Sequence, residues 1–265
     1  MKWLFVPLFF LLPMFLTARE AKPTFHALIV CDMDSKDIQR GSRADMVRMK
    51  KSLLAISHQL EISPKVAILQ GKQFTTKNVT QWLRSLPSHS NDIVFFYYSG
   101  HGGRVASRHD SWPFMIFPTK NDPKHADALM GKEVYRYLQQ KHPRLSVIMF
   151  DSCNNSVQTK NAASLSQAMV PVLSKKTYLP GLATLFLKTR GIITSCAASP
   201  GETAATTVQG NVTGGVFTTG FLYSLMYYAT NSSVSWKDIF SGTSSYCYNH
   251  NHGRQHPVYS IEIAQ

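Results

Sequence analysis

Residues 92–103 read DIVFFYYSGHGG. The unbroken run of β-branched and aromatic residues predicts a strand buried on both faces, and the glycines after it predict a tight turn whose backbone lies open to a ligand. One histidine, His101, stands between Gly100 and Gly102 in that turn. A second run, LSVIMFD over 145–151, ends the same way, with Cys153 two residues beyond it in FDSCNNS.

Working outward, HALIVCD (26–32), KVAILQ (65–70) and GIITSCA (191–197) predict further strands, and HPVYSIEI (256–263) a last one. Helices are predicted between them. Residues 44–60 carry Met46, Met49, Leu53, Ile56 and Leu60 at helical spacing, and further helices are expected over 76–86, 130–140, 215–229 and 234–249. Short apolar strands separated by helices predict an α/β fold: a mostly parallel central sheet with helices on both faces. Residues 154–188 read as a long, polar, lysine-bearing connection with one apolar portion around Met169–Leu173, between a larger front part and a smaller back part of one core.

In open parallel sheets ligands bind beyond the carboxyl ends of the strands. If the strands over 92–99 and 145–151 are neighbours, His101 and Cys153 face one crevice. A thiol beside an imidazole loses its proton more readily, and the thiolate is the nucleophile. The backbone N–H groups of Gly102 and Cys153 are then the candidate oxyanion hole. Taken singly, His101 reads as an ordinary turn histidine and Cys153 as a small buried hydrophobe. Their joint occurrence at two strand ends carries the catalytic reading.

These residues resemble the caspase-like cysteine peptidases, and among them most closely the metacaspases. That family places its histidine in a strand-ending SGHG, matched by Ser99–Gly102, and its nucleophile in a D-x-C turn, matched by Asp151, Ser152 and Cys153. Caspases hold the two about 50 residues apart; here they are 52 apart. The helix beginning at Ala44–Asp45 is similar to the family's first helix, where metacaspases carry an Asp in the specificity pocket. IITSCAAS, GGVFTTGFLYSL and WKDIF resemble the smaller C-terminal half of the fold, so the likeness runs from about residue 25 to the end.

The resemblance implies a cysteine endopeptidase. Cys153 would attack the peptide carbonyl, and His101 would move the proton. Asp45, Ser99 and Asp151 would line the substrate pocket, whose carboxylates favour Arg or Lys before the scissile bond. A plainer role for Asp45 is to open its helix, at the positive end of the dipole. Asn154, Asn155 and Ser156 stand where metacaspases have His-Ser-Gly, which keeps open the alternative of a catalytically impaired binding or scaffold protein. The acidic cluster that holds calcium in many metacaspases has no convincing match, Asp110, Asp122 and Asp127 being scattered. No metal ligand set and no required cofactor is therefore expected, with calcium the one candidate ion.

Composition bounds the partners. The net charge is +13, with 44% hydrophobic and 16% charged residues. No dense basic run with interleaved aromatics accompanies that charge, so a protein or peptide substrate is expected and nucleic acid is not. Residues 1–21 show a lysine, an apolar stretch from Trp3 to Leu16 and then small residues, the pattern of a secretory signal, leaving residues 22–265 as an exported peptidase domain. A membrane enters only if that segment stays uncleaved as an anchor, and no pattern speaks to an oligomeric state. Cys31, Cys153, Cys196 and Cys247 are too few for a disulfide scaffold. The sequons at Asn78, Asn154, Asn211 and Asn231 read as chance matches. Lys160, Lys175, Lys176 and Lys188 lie in the long connection, with Lys175–Lys176 the first candidate for self-cleavage.

Overall fold

The computed structural model describes residues 23–105, 111–118, 126–156, 164–165, 172–174, 177–209 and 212–264. The predicted signal, Asp110, Asp122, Lys160, Lys175, Lys176 and Asn211 lie outside the described residues.

Strands β1 (Thr24–Cys31), β2 (Ser63–Leu69), β3 (Ile93–Ser99), β7 (Leu145–Asp151), β9 (Gly191–Cys196) and β12 (Val258–Ile263) form one sheet in the order β12-β9-β7-β3-β1-β2. Every pairing in it is parallel except β9 with β12. The side-chain period of two divides each inner strand between two cores. Ile93, Phe95 and Tyr97 of β3 face one core with α1 (Gln39–Gln59), α4 (Val216–Tyr228) and α5 (Trp236–His250). Val94, Phe96 and Tyr98 face the other, with α2 (Thr76–Ser85) and α3 (Gly131–Lys141). Both faces of β3 and β7 are therefore buried, which is why these strands lack an alternating polar face. β2 is an edge, and Pro64 and Lys65 stand at its exposed start, a common way to discourage pairing with another chain.

Four features depart from the sequence reading. Helix α1 begins at Gln39 rather than 44. Gly41 and Ser42 are poor helix formers, but both are buried there, and Gly41 lets Thr206 approach to 3.4 Å of where a Cβ would sit. Residues 102–130 hold a small antiparallel sheet of β4 (Gly102–Gly103), β5 (Phe114–Pro118) and β6 (Ala126–Met130), elements too short to stand out in sequence. Another small sheet joins β8 (Ser164–Leu165), β10 (Thr206–Gln209) and β11 (Val212–Gly215). The connection over 154–188 is also less polar in effect than it reads: Leu179, Leu182, Leu185 and Phe186 are core residues.

Candidate active site

The register of the central sheet builds the site. β3 pairs with β7 so that Ser99 lies opposite Asp151. His101 and Cys153 each follow two residues later, so both leave the sheet at the same level. The turn after β3 is held from below. The His101 carbonyl accepts from the Tyr98 hydroxyl at 2.6 Å and from the Ile116 N–H at 3.0 Å, while the Gly100 N–H donates to the Asp151 carbonyl at 3.3 Å. Gly102 brings the two turns into contact, since a Cβ there would lie 2.5 Å from Ser152 Oγ and 2.9 Å from the Cys153 carbonyl oxygen.

A cleft of about 630 Å³ opens over these turns. His101, Gly102, Cys153, Asp45, Ser99 and Asp151 all line it. The sequence reading thus named six residues that the fold gathers in one place.

Cys153 is partly exposed, whereas Cys31, Cys196 and Cys247 are buried, and all four are free. Burial pushes the Cys153 thiol above its ordinary range. Its Sγ lies 4.0 Å from the Ala204 carbonyl. The His101 Nε2 is 3.2 Å from Asp37, a residue of the β1–α1 connection that sequence reasoning did not single out. Such a carboxylate fixes the ring's orientation and tautomer.

The loop after Cys153 is firmly held. Asn154 is fully buried, and its side-chain amide donates to the carbonyls of Ser111 (2.9 Å) and Ala198 (3.1 Å). Its backbone is bonded on both sides, N–H to Glu202 and carbonyl to Gly201. The chain's departure from His-Ser-Gly is thus a stitched loop, and the sequon at Asn154 is closed to glycan attachment in the folded protein.

Beneath the cleft lies a buried charged cluster. Asp45 does not open its helix, which starts six residues earlier; it is buried mid-helix and paired with Arg48 one turn on. Both of its carboxylate oxygens accept from the Gly215 N–H at 3.0 Å, and the Ser99 hydroxyl donates to it at 3.2 Å. Burial raises the Asp45 carboxyl, and Arg48, Gly215 and Ser99 pull it back. Asp151 accepts from the Thr218 N–H (3.1 Å) and hydroxyl (2.5 Å) in the first turn of α4, and Tyr97 donates in turn to that hydroxyl at 2.6 Å. Burial, and next the charge of Asp45, push Asp151 up to about 7. Both carboxylates therefore anchor the start of α4, where backbone N–H groups have no helical partner. Arg48 was within reach of sequence reasoning as an i,i+3 partner of Asp45. Gly215 and Thr218 were not.

Asp127, the described member of the scattered acids, is engaged locally by the Thr76 hydroxyl and the Ala128 N–H. Among the described residues no group of three or more His, Cys, Asp or Glu side chains could hold a metal ion.

The caspase-domain family model matches residues 24–264. No curated protein matches the chain. Among solved structures it is similar to protein GSU0716 from Geobacter sulfurreducens, with 14% identity over 92% of this chain and 95% of that one and a TM-score of 0.48. It is also similar to the Drosophila initiator caspase Dronc, with 13% identity over 89% of this chain and 78% of that one and a TM-score of 0.49.

Proposed function

The chain belongs to the caspase-domain family, and from that premise we propose that it is a cysteine endopeptidase with Cys153 as nucleophile and His101 as acid–base group. The observation that carries this reading is the pairing of Ser99 with Asp151, which sets His101 and Cys153 at equal height over one cleft.

The reaction follows from the chemistry of the two groups. His101 takes the proton of the Cys153 thiol as the sulfur attacks the substrate carbonyl carbon, so the thiolate forms only when it is used. The N–H groups of Gly102 and Cys153 stabilise the oxyanion of the tetrahedral intermediate. His101 then gives its proton to the leaving amine, the C–N bond breaks and a thioester remains. Water, deprotonated by His101, cleaves the thioester and restores the thiol. Asp37 keeps the ring in place through the cycle.

The pocket residues Asp45, Ser99 and Asp151 support a preference for Arg or Lys before the scissile bond. We further read residues 1–21 as a secretory signal, which places the peptidase outside the cytosol. Among the described residues no helix is long and apolar enough to cross a membrane.

The rival reading is a caspase-like scaffold without turnover. It is favoured by the raised Cys153 thiol and by Asn154, Asn155 and Ser156 standing in place of His-Ser-Gly after the nucleophile. A panel of peptide substrates with Arg, Lys, Asp and neutral residues before the scissile bond separates the two. Cleavage by the wild-type chain and its loss in Cys153→Ala are expected. No cleavage of any peptide by either chain would favour the scaffold.

A further inference from the structure

Arg48 does not line the cleft, yet it decides what charge the cleft presents. Its guanidinium is buried, pairs with Asp45 and donates to the Thr219 hydroxyl at 3.0 Å. It lies over Gly214, where any Cβ would run into it. Gly215, the next residue, leaves the corresponding space for the Asp151 carboxylate. The paired glycines at the β11–α4 junction thus make room for a three-membered cluster of Asp45, Arg48 and Asp151. Two carboxylates and one guanidinium leave at most one net negative charge under the cleft.

We propose that Arg48 is a specificity-determining residue: it occupies Asp45 from behind, so that a basic side chain in the cleft must compete with the protein's own guanidinium. This rests on the peptidase reading above and refines its substrate class. Asp45 already accepts from Gly215, Ser99 and Arg48, which uses the directions in which a carboxylate binds donors well. A substrate guanidinium gains a bidentate partner there only by displacing one of them. The cleft therefore favours Arg and Lys weakly over neutral residues of similar size, by less than about tenfold, because the uncompensated charge is that of one buried carboxylate.

The test reads binding apart from turnover. Agmatine, an alkyl guanidinium, is titrated by calorimetry into the full chain, Arg48→Met, and the double variant Asp45→Asn/Arg48→Met. Arg48→Met is expected to bind agmatine about tenfold more tightly than wild type, and the double variant to return to the wild-type value. Equal binding by Arg48→Met and wild type, or by the single and double variants, overturns the proposal. Circular dichroism checks that each variant folds. If Arg48→Met does not, Arg48→Lys keeps a cation near Asp45 with fewer donors and should bind agmatine about threefold more tightly; no gain there overturns the proposal too. In wild type and Arg48→Met the Arg-to-Gln ratio of kcat/KM is measured alongside, and it should rise about tenfold in the variant. Absence of any Cys153-dependent cleavage would count against the peptidase reading, while the agmatine comparison would still decide the role of Arg48.

Discussion

The backbone of Gly102 lies directly on the side chain of Ser152: a Cβ at 102 would come within 2.5 Å of the hydroxyl oxygen and 2.7 Å of the Ser152 Cβ. The histidine turn and the cysteine turn are thus spaced by one missing methyl group. Gly102→Ala should push them apart and lower kcat/KM by about a hundredfold, the scale of a misplacement near 1 Å. Its stability cost should be only about 1–3 kcal/mol. Steady-state kinetics with a thermal melt would check this. Adding Ser152→Gly should recover part of the activity, because it removes two of the three clashing atoms.

Thiol labelling should be selective and base-driven. Cys31, Cys196 and Cys247 are fully buried, and burial raises each of their thiols, Cys196 to about 12. Iodoacetamide followed by peptide mapping should modify Cys153 first, and the other three only on unfolding. The Cys153 thiol is itself raised by burial, so its labelling should quicken as pH climbs above the ordinary thiol range near 8.5. His101→Ala should slow labelling at neutral pH. Equal reactivity of Cys153 and Cys247 in the folded chain would contradict the nucleophile assignment.

Asp37 and His101 form an exposed pair, with side chains 62% and 38% accessible. A contact of that exposure is worth little even when the ring takes up a proton during the cycle, so Asp37→Ala should reduce kcat/KM only about two- to fivefold, and high salt should shrink the difference. Asp37→Asn should retain most of the ring's orientation and lose mainly the salt dependence. A loss approaching the ten-thousandfold of a buried triad aspartate would mean that substrate closes the cleft over this pair.

Asp151 makes stability fall with pH in a defined window. Its folded value, about 7, lies above the unfolded carboxylate value near 4. Its contribution is therefore fully present below about pH 4 and is lost as pH rises through 7. Melts between pH 5 and 8 should show a downward slope that Asp151→Asn flattens, since the amide oxygen can still accept from Thr218.

His26 acts in the opposite sense at the other end of the sheet. It is buried beside Asp92, with its Nε2 3.3 Å from the carboxylate, and burial outweighs that charge to lower its pKa. Its contribution is present above the unfolded value near 6.5 and is lost as pH falls below it. His26→Asn should reduce the steepness of acid unfolding just below pH 6.5, measured by fluorescence at fixed denaturant.

What the sequence determined by itself is whatever is encoded by local pattern. The runs over 93–99 and 145–151 read as strands buried on both faces, because apolar, β-branched and aromatic residues dominate them with no alternating polar side. Glycine after one and Asp-Ser-Cys after the other marked the strand ends that line the cleft. The parallel sheet and the family likeness follow from such short-range signals, as does the placing of His101 and Cys153 at strand ends; that the two share one cleft depends on β3 pairing with β7. Only the tertiary structure decided the electrostatics beneath the cleft. Asp45 meets Gly215 from 170 residues away, and Asp151 meets Thr218 from 67. Those meetings depend on how α4 docks against α1 and the sheet, not on any spacing. The start of α1 at Gln39 was hidden for the same reason: Gly41 and Ser42 have poor helix propensity, and burial against the β10–β11 hairpin overrides it. Asp37 showed no pattern at all, because its role comes from one loop passing close to another. Local periodicity records which surfaces must be buried; which charges share a buried space is fixed when distant segments pack.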